Sequence, residues 1–409
     1  MIPSFDKTWR ERRAGFLAGD AEHTDWIVRA LLEDALRARV SDVHFDPLTD
    51  GFQIRFRVDG VLHVTAVVER EEGMRMVRYF KTAAGLDPGS LVVPHDARAR
   101  FEIDGHALEV RVECVPAVTG EKLALRLLLK DRLSLNLGEL GLADDQHGLV
   151  NHWLNNASGM FLDAGPVGSG KTTTLYALVA ELDIERKNVV TVEDPVEYQV
   201  DGITQMQVDE RHGVEMATIL KTILRLDPDY ILIGEIRDEE SARAAIEAAA
   251  TGRVVLSTLH ARDAAGTVTS LRNLGAADHE IAVALSFVAA QRLVRKLCAA
   301  CRKRGPVEMP DRQWLERLEL AVPDTVWNAT GCERCGGTGY HGRTGVFELW
   351  PLDAKSYDLI LSGADEASIR RHLRASPWGD LLGVAGRKVA EGVTTLAELR
   401  GMSGLIPPR

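Results

Sequence analysis

Between residues 25 and 40, Ile27, Val28, Ala30, Leu31, Leu32, Ala35 and Leu36 recur at steps of three and four. That spacing predicts a helix with one buried face. The period then drops to two. Phe52, Ile54, Phe56 and Val58 alternate with Gln53, Arg55, Arg57 and Asp59, as in a strand with one face in a core and one in water. Asp59-Gly60 turns this strand into a second one over 61–64, a hairpin signal. A helix over 73–84 and strands over 99–103, 108–114 and 122–129 follow. Residues 25–130 therefore read as a small α+β domain after a short charged lead-in, 1–24, with a linker over 131–145.

From residue 146 the rhythm changes. Short apolar runs over 160–164, 189–192, 230–236 and 254–258 alternate with helical stretches over 172–182, 215–226 and 239–250. Strands without internal alternation, separated by helices, predict a parallel sheet covered on both faces. A second domain over 146–409 is the expectation, interrupted by a cysteine segment, 298–335, and closed by a helical region, 352–409.

The chain has 409 residues, 45% hydrophobic and 27% charged, enough apolar material for cores. No run approaches the ~18 apolar residues of a membrane span. The charged start MIPSFDKTWRERRAGFLAGD lacks a signal-peptide apolar stretch, so the expected location is the cytoplasm. A net charge of −11 argues against attraction of the whole surface to nucleic acid or anionic lipid.

Gly165-Pro166-Val167-Gly168-Ser169-Gly170-Lys171-Thr172 matches GxxxxGK[ST] in full, after an apolar strand and before a helix. Its glycines let main-chain N–H groups close around phosphate oxygens, and the helix aims its positive end at them. Lys171 is expected on the β/γ-phosphates of ATP and the Thr172 hydroxyl on Mg²⁺, with Thr173 completing the nucleotide-binding set. Chance occurrence of a glycine-rich turn is the competing reading, and the strand–loop–helix context weighs against it.

Glu235 follows the apolar run 230–234, where a carboxylate is placed to orient a water for attack on phosphate. Alone it would read as a solvated acid at a helix start. A second cluster, Glu193-Asp194-Pro195-Val196-Glu197, follows the run 189–192. Parallel strands end on one edge, so both clusters are expected at one crevice. His260 leaves a third run toward the same edge, where a neutral imidazole would sense the γ-phosphate; an ordinary surface histidine is equally compatible with the position alone.

Cys298-Ala-Ala-Cys301 and Cys332-Glu-Arg-Cys335 offer four thiolates, the donor set of a closed structural Zn²⁺ site. A redox pair or packing cysteines are the alternatives. Cys114 falls in a strand pattern and reads as a buried small residue.

Several motifs in order make the chain resemble the secretion-type ATPases of type II secretion and type IV pilus assembly. They are SDVHFDP at 41–47, IRFRVDG at 54–60, the phosphate loop, TVEDPVE at 191–197, GEIRD at 234–238, the TGR…LSTLH stretch ending in His260, and GRTGVFEL at 342–349. The resemblance implies a RecA-like P-loop ATPase domain joined to an N-terminal PAS-like domain, with a small zinc-binding insertion. It further implies a homo-hexamer that hydrolyses ATP to move a polytopic inner-membrane platform protein, with no nucleic-acid partner. It assigns catalytic arginines to the N-terminal domain, for which Arg55, Arg57, Arg78 and Arg98 are the candidates; a solvated strand face is the plain alternative for them. The four cysteines point to the assembly branch rather than to retraction motors. Assembly-branch members usually carry an extra N-terminal docking domain, and only about 24 residues precede Asp25 here, so that docking is not expected from this sequence. Leu226 stands where a glutamine is common and Ala99-Arg100 replaces a glycine-containing turn, neither of which is expected to abolish hydrolysis.

Overall fold

The computed structural model describes residues 21–90, 93–128, 136–156, 158–209 and 212–404. The chain divides into two compact units. The first holds residues up to 133 together with Leu297–Lys303 and Asn328–Gly342, and the second holds the remainder.

In the first unit α1 (Ala21–Arg37) leads into β1 (Val40–Pro47), β2 (Gly51–Val58) and β3 (Val61–Glu69), then α2 (Arg70–Ala83), β4 (His95–Ile103), β5 (His106–Ala117) and β6 (Gly120–Leu128). The strands form one antiparallel sheet in the order β3-β2-β1-β6-β5-β4. Phe52, Ile54 and Phe56 of β2 point inward and meet Leu31 and Leu32 of α1 and Phe80 of α2 in a single core. The helical spacing carried the expected first helix to residue 40. It ends instead at Arg37, because Arg39 takes a left-handed φ of 60°, and Val40 opens a strand whose alternation is masked by its Asp and His residues. The hairpin turn is as expected: Asp59 and Gly60 both adopt positive φ, 49° and 87°.

The cysteine loops belong to this unit. They are tied to the β2–β3 turn by the Gly342 N–H, which donates to Asp59 Oδ2 at 2.8 Å.

The second unit is built on β7 (Gly159–Ala164), β8 (Val189–Glu193), β9 (Thr204–Gln207), β10 (Tyr230–Ile233), β11 (Val254–Leu259), β12 (Leu285–Leu297) and β15 (Tyr340–Pro351). Their order is β15-β12-β7-β11-β10-β8-β9, with parallel pairing from β12 to β9. One face is covered by α3 (Asp144–Asn155) and α4 (Lys171–Ala180), whose Leu154, Leu175 and Leu178 meet Phe161, Leu232 and Phe287. The opposite face carries α5 (Met216–Ile223), α6 (Glu239–Ala250), α7 (Ala264–Asn273) and α8 (Asp278–Ala284). The short strands β13 (Lys303–Pro306) and β14 (Thr325–Asn328) pair with each other around α9 (Met309–Arg317), and α10 (Ala354–Leu361) through α13 (Leu396–Ser403) complete the chain, with α11 (Glu366–Arg374) and α12 (Leu381–Ala390) between. The α/β architecture is the one the strand–helix alternation predicts. The periodicity did not predict β12, which lies between β7 and the edge strand β15.

Candidate functional site

Strand register assembles the site. Leu259 of β11 pairs with Ala164 of β7, and Ile233 of β10 pairs with Ser257 of β11 and Val192 of β8. All these strands end on one edge, and the segments leaving them line a cavity of about 830 Å³ that includes Lys171, Thr172, Glu193, Asp194, Glu235, Arg237 and His260.

The phosphate loop, residues 165–170, joins β7 to α4. Gly170 caps the helix with φ 95°, which favours glycine. A Cβ on Gly165 would stand 2.4 Å from Ser169 Oγ and 2.7 Å from the Gln291 carbonyl oxygen, so only glycine closes the loop here. Lys171 Nζ donates to the carbonyls of Gly165 at 2.8 Å and Pro166 at 3.2 Å. Burial lowers its pKa, opposed by Asp163 and Glu235. The loop glycines, the helix N-terminus, Lys171 and the exposed Thr172 fit a nucleotide phosphate chain with its magnesium.

Glu235 and His260 are brought together, with His260 Nε2 2.7 Å from Glu235 Oε1. His260 Nδ1 lies 3.1 Å from the Gly165 carbonyl oxygen. Both neighbours of the ring are acceptors, so each contact is a hydrogen bond only where the facing ring nitrogen carries a proton. Arg237 Nε donates to Glu235 Oε2 at 2.9 Å and its Nη1 to Asp194 Oδ2 at 2.9 Å. The Glu235 contact, with Asp194 behind it, holds the Arg237 guanidinium above its usual range. Glu193 lies deeper and is buried. Its carboxylate accepts from Tyr176 OH at 2.5 Å, Thr191 Oγ1 at 2.6 Å and Gln205 Nε2 at 3.2 Å. It therefore anchors the floor of the cavity, which Glu235 lines together with Asp194 and Glu197. The roles of Arg237 and Tyr176 were not legible in the sequence; an arginine two residues beyond the strand-end acid is the one local signal for the former.

The four arginines named from the resemblance lie in the first unit. Arg55 Nε meets Asp46 Oδ2 at 2.5 Å, and Lys122 Nζ meets Asp46 Oδ1 at 2.6 Å. Arg57 Nε lies 3.5 Å from Asp42 Oδ2, and its Nη1 donates to the Gly60 carbonyl at 3.0 Å. Arg55 and Arg57 thus share the outer face of β2, each against an aspartate of β1, as the alternation predicts. Arg78 is exposed on α2, and Arg98 is exposed on β4.

Cys298, Cys301, Cys332 and Cys335 have their Sγ atoms within 4.8 Å of one another. Contacts of 3.9 Å for Cys298–Cys332, 3.8 Å for Cys301–Cys335 and 3.7 Å for Cys332–Cys335 match the edge of a sulfur tetrahedron around an ion bound at ~2.3 Å. None of the four is in a disulfide. Burial works against the Cys335 thiolate, but the N–H groups of Cys332 and Gly339, at 3.1 and 3.2 Å from its sulfur, outweigh it and draw the thiol down. The donor set fits zinc.

The family described as Type II/IV secretion system protein matches residues 18–401. The Type II secretion system ATPase E of Vibrio cholerae is 39% identical over 373 residues, 91% of this chain and 74% of that protein. The Type IV pilus assembly ATPase PilB of Acinetobacter baylyi is 37% identical over 378 residues, 91% of this chain and 65% of that protein. Among solved structures, the Legionella pneumophila ATPase DotB superposes with a TM-score of 0.68 at 19% identity, covering 92% of this chain and 94% of its own. That likeness concerns the fold.

Proposed function

The chain belongs to the Type II/IV secretion system protein family, and on that premise we propose that it is an ATPase that powers assembly of a secretion pseudopilus or a type IV pilus. The observation that carries the reading is the convergence of Lys171, Glu235 and His260 on one cavity, with Glu235 held 2.7 Å from His260. Gly165 through Thr173 hold the phosphates, and the Thr172 hydroxyl would hold a magnesium ion, which would supply neutralising charge there. Glu235 orients the attacking water. His260 links that acid to the backbone of the phosphate loop, so a change at the phosphates is felt at the acid. Arg57 and its neighbours supply further positive charge to the transition state.

The motor works as a homo-hexamer at the cytoplasmic side of the inner membrane, acting on a polytopic platform protein. Among the described residues no helix is long and apolar enough to cross a membrane, which suits attachment through protein partners. The four-cysteine cluster favours assembly over retraction. Steady-state phosphate release from ATP, measured on the purified chain, tests the reading. Nucleotide binding without turnover, under conditions where the chain is hexameric, would make it a regulatory module instead.

A further inference from the structure

Asp163 is a residue of the second unit that hydrolysis leaves without a role. It stands two positions before Gly165 in β7, a strand buried along its whole length. Alternation sends Met160, Leu162 and Ala164 to one core and Phe161 to the other. Asp163 therefore shares the Phe161 face, beneath the first turn of α4. It is fully buried, and neither carboxylate oxygen has a hydrogen-bond partner among the described residues. The nearby hydroxyls are spent elsewhere. Thr174 Oγ1 donates to Gln291 Oε1 at 2.8 Å, and Thr258 Oγ1, on the strand paired with Asp163, donates to the Gly234 carbonyl at 2.8 Å.

A buried carboxylate without donors stays ionised only beside compensating charge. Two buried cations face it, Lys171 and Arg292. Arg292 is fixed by the carbonyls of Gln291 and Arg262 and answers also to Asp263 and Glu348. Lys171 rests on the carbonyls of Gly165 and Pro166 in the phosphate loop, and it is the group that a phosphate recruits. We propose that Asp163 is a proton-linked counter-charge for Lys171: when nucleotide phosphate engages the lysine, Asp163 takes up one proton, so nucleotide binding by this chain is coupled to proton uptake. The proton comes from solvent, one O–H bond forms on the carboxylate, and no other bond changes. This inference rests on the nucleotide-binding reading given above.

The electrostatics have the required sign. Burial pushes the Asp163 carboxyl well above its usual range, and the charges of Lys171 and Arg292 pull it back. Drawing the lysine's charge onto phosphate weakens the first of these restraints and drives the carboxyl further up. The other acid facing Lys171 is Glu235, which His260 and Arg237 already hold. Asp263, the acid beyond Arg292, is held by Arg370 at 2.8 Å.

Calorimetric binding of Mg-ADP to the full chain, from pH 6 to 8 in buffers of different ionisation heat, tests this. Wild type is expected to take up protons on binding, with Kd weakening with pH toward the limit for one linked proton, about tenfold per pH unit. Asp163→Asn and Asp163→Val are expected to abolish the uptake and flatten that dependence, leaving only the titration of the ADP phosphates common to all three. Binding with no proton uptake in wild type, or with uptake unchanged in either folded variant, would overturn the proposal while leaving nucleotide binding intact. Absence of Mg-ADP binding to wild type would overturn both.

Discussion

His260 stands between Glu235 and the phosphate loop, its Nε2 2.7 Å from Glu235 Oε1 and its Nδ1 3.1 Å from the Gly165 carbonyl oxygen. The same carbonyl accepts from Lys171 Nζ at 2.8 Å. One backbone oxygen is therefore shared by Lys171 and by the histidine that meets Glu235. On the proposed nucleotide-binding reading, a shift of Lys171 toward phosphate would change what that oxygen offers His260, and through it the freedom of Glu235.

If Glu235 orients the attacking water, Glu235→Gln is expected to bind ATP almost normally and to lose at least ~10²-fold in turnover, the scale of a general-base contribution. Lys171→Ala is expected to lose nucleotide binding as well. Fluorescent-nucleotide titration beside phosphate release separates the two. Near wild-type turnover in Glu235→Gln would move the role to another acid.

Glu193 gives the opposite signature. With three donors on a buried carboxylate, Glu193→Ala takes the acceptor from the buried Thr191 hydroxyl, leaves Tyr176 and Gln205 only their contacts to the Tyr198 carbonyl and to each other, and is expected to cost about 2–3 kcal/mol of stability, the scale of a broken hydrogen bond to a buried carboxylate. Tyr176→Phe removes one of those donors and is expected to cost about 1 kcal/mol. Urea denaturation reads both. A Glu193→Ala chain as stable as wild type would contradict the anchoring role.

Arg57 lies against Asp42 on a half-exposed sheet face, a pairing worth little to stability. Arg57→Ala is expected to leave the melting temperature nearly unchanged and to lower kcat about tenfold, the weak end of arginine effects in phosphoryl transfer. ATP affinity is expected to change less. Unaltered kcat would reduce Arg57 to a surface charge.

Glu348 predicts a pH dependence of stability. It is buried, and the carboxylates of Asp263 and Asp380 add to the burial, so its pKa rises from 4.5 to about 8 against the pull of the Ala264 N–H and Arg370. Between those values the folded chain holds a proton that the unfolded chain has released. This group's contribution is therefore complete below about 4.5 and is lost as pH rises toward about 8. Its slope is at most about 1.4 kcal/mol per pH unit. Glu348→Gln is expected to match wild type near pH 5 and exceed it at pH 8 in urea midpoint. Parallel curves for the two proteins would refute this.

The cysteine cluster predicts about one zinc per chain on metal analysis. Cys298→Ser or Cys335→Ser is expected to release it and to raise hydrogen exchange over 298–335. Cys114 is buried in β5, away from these thiols, its own thiol pushed up to about 11 chiefly by burial; Cys114→Ser is expected to leave zinc content unchanged. Metal-free protein with an equally protected segment would reject the site.

The phosphate loop, the alternation of β2, the Asp59-Gly60 turn and the paired CxxC motifs were legible in the sequence because each is a local pattern, decided by dihedral preference and spacing over a few residues. The strand-end acid Glu235 was legible for the same reason. What the sequence left open depends on partners far along the chain. β12 reads equally as a helix until it is seen paired with β7. Arg237 acquires meaning only when the ends of β8 and β10 bring Asp194 and Glu235 to either side of its guanidinium. Asp163 looks like an ordinary polar position until β7, α4 and β12 close over it. Tertiary structure decides such cases because burial and charge pairing are properties of the whole surroundings of a side chain, and most of those surroundings are supplied by distant segments.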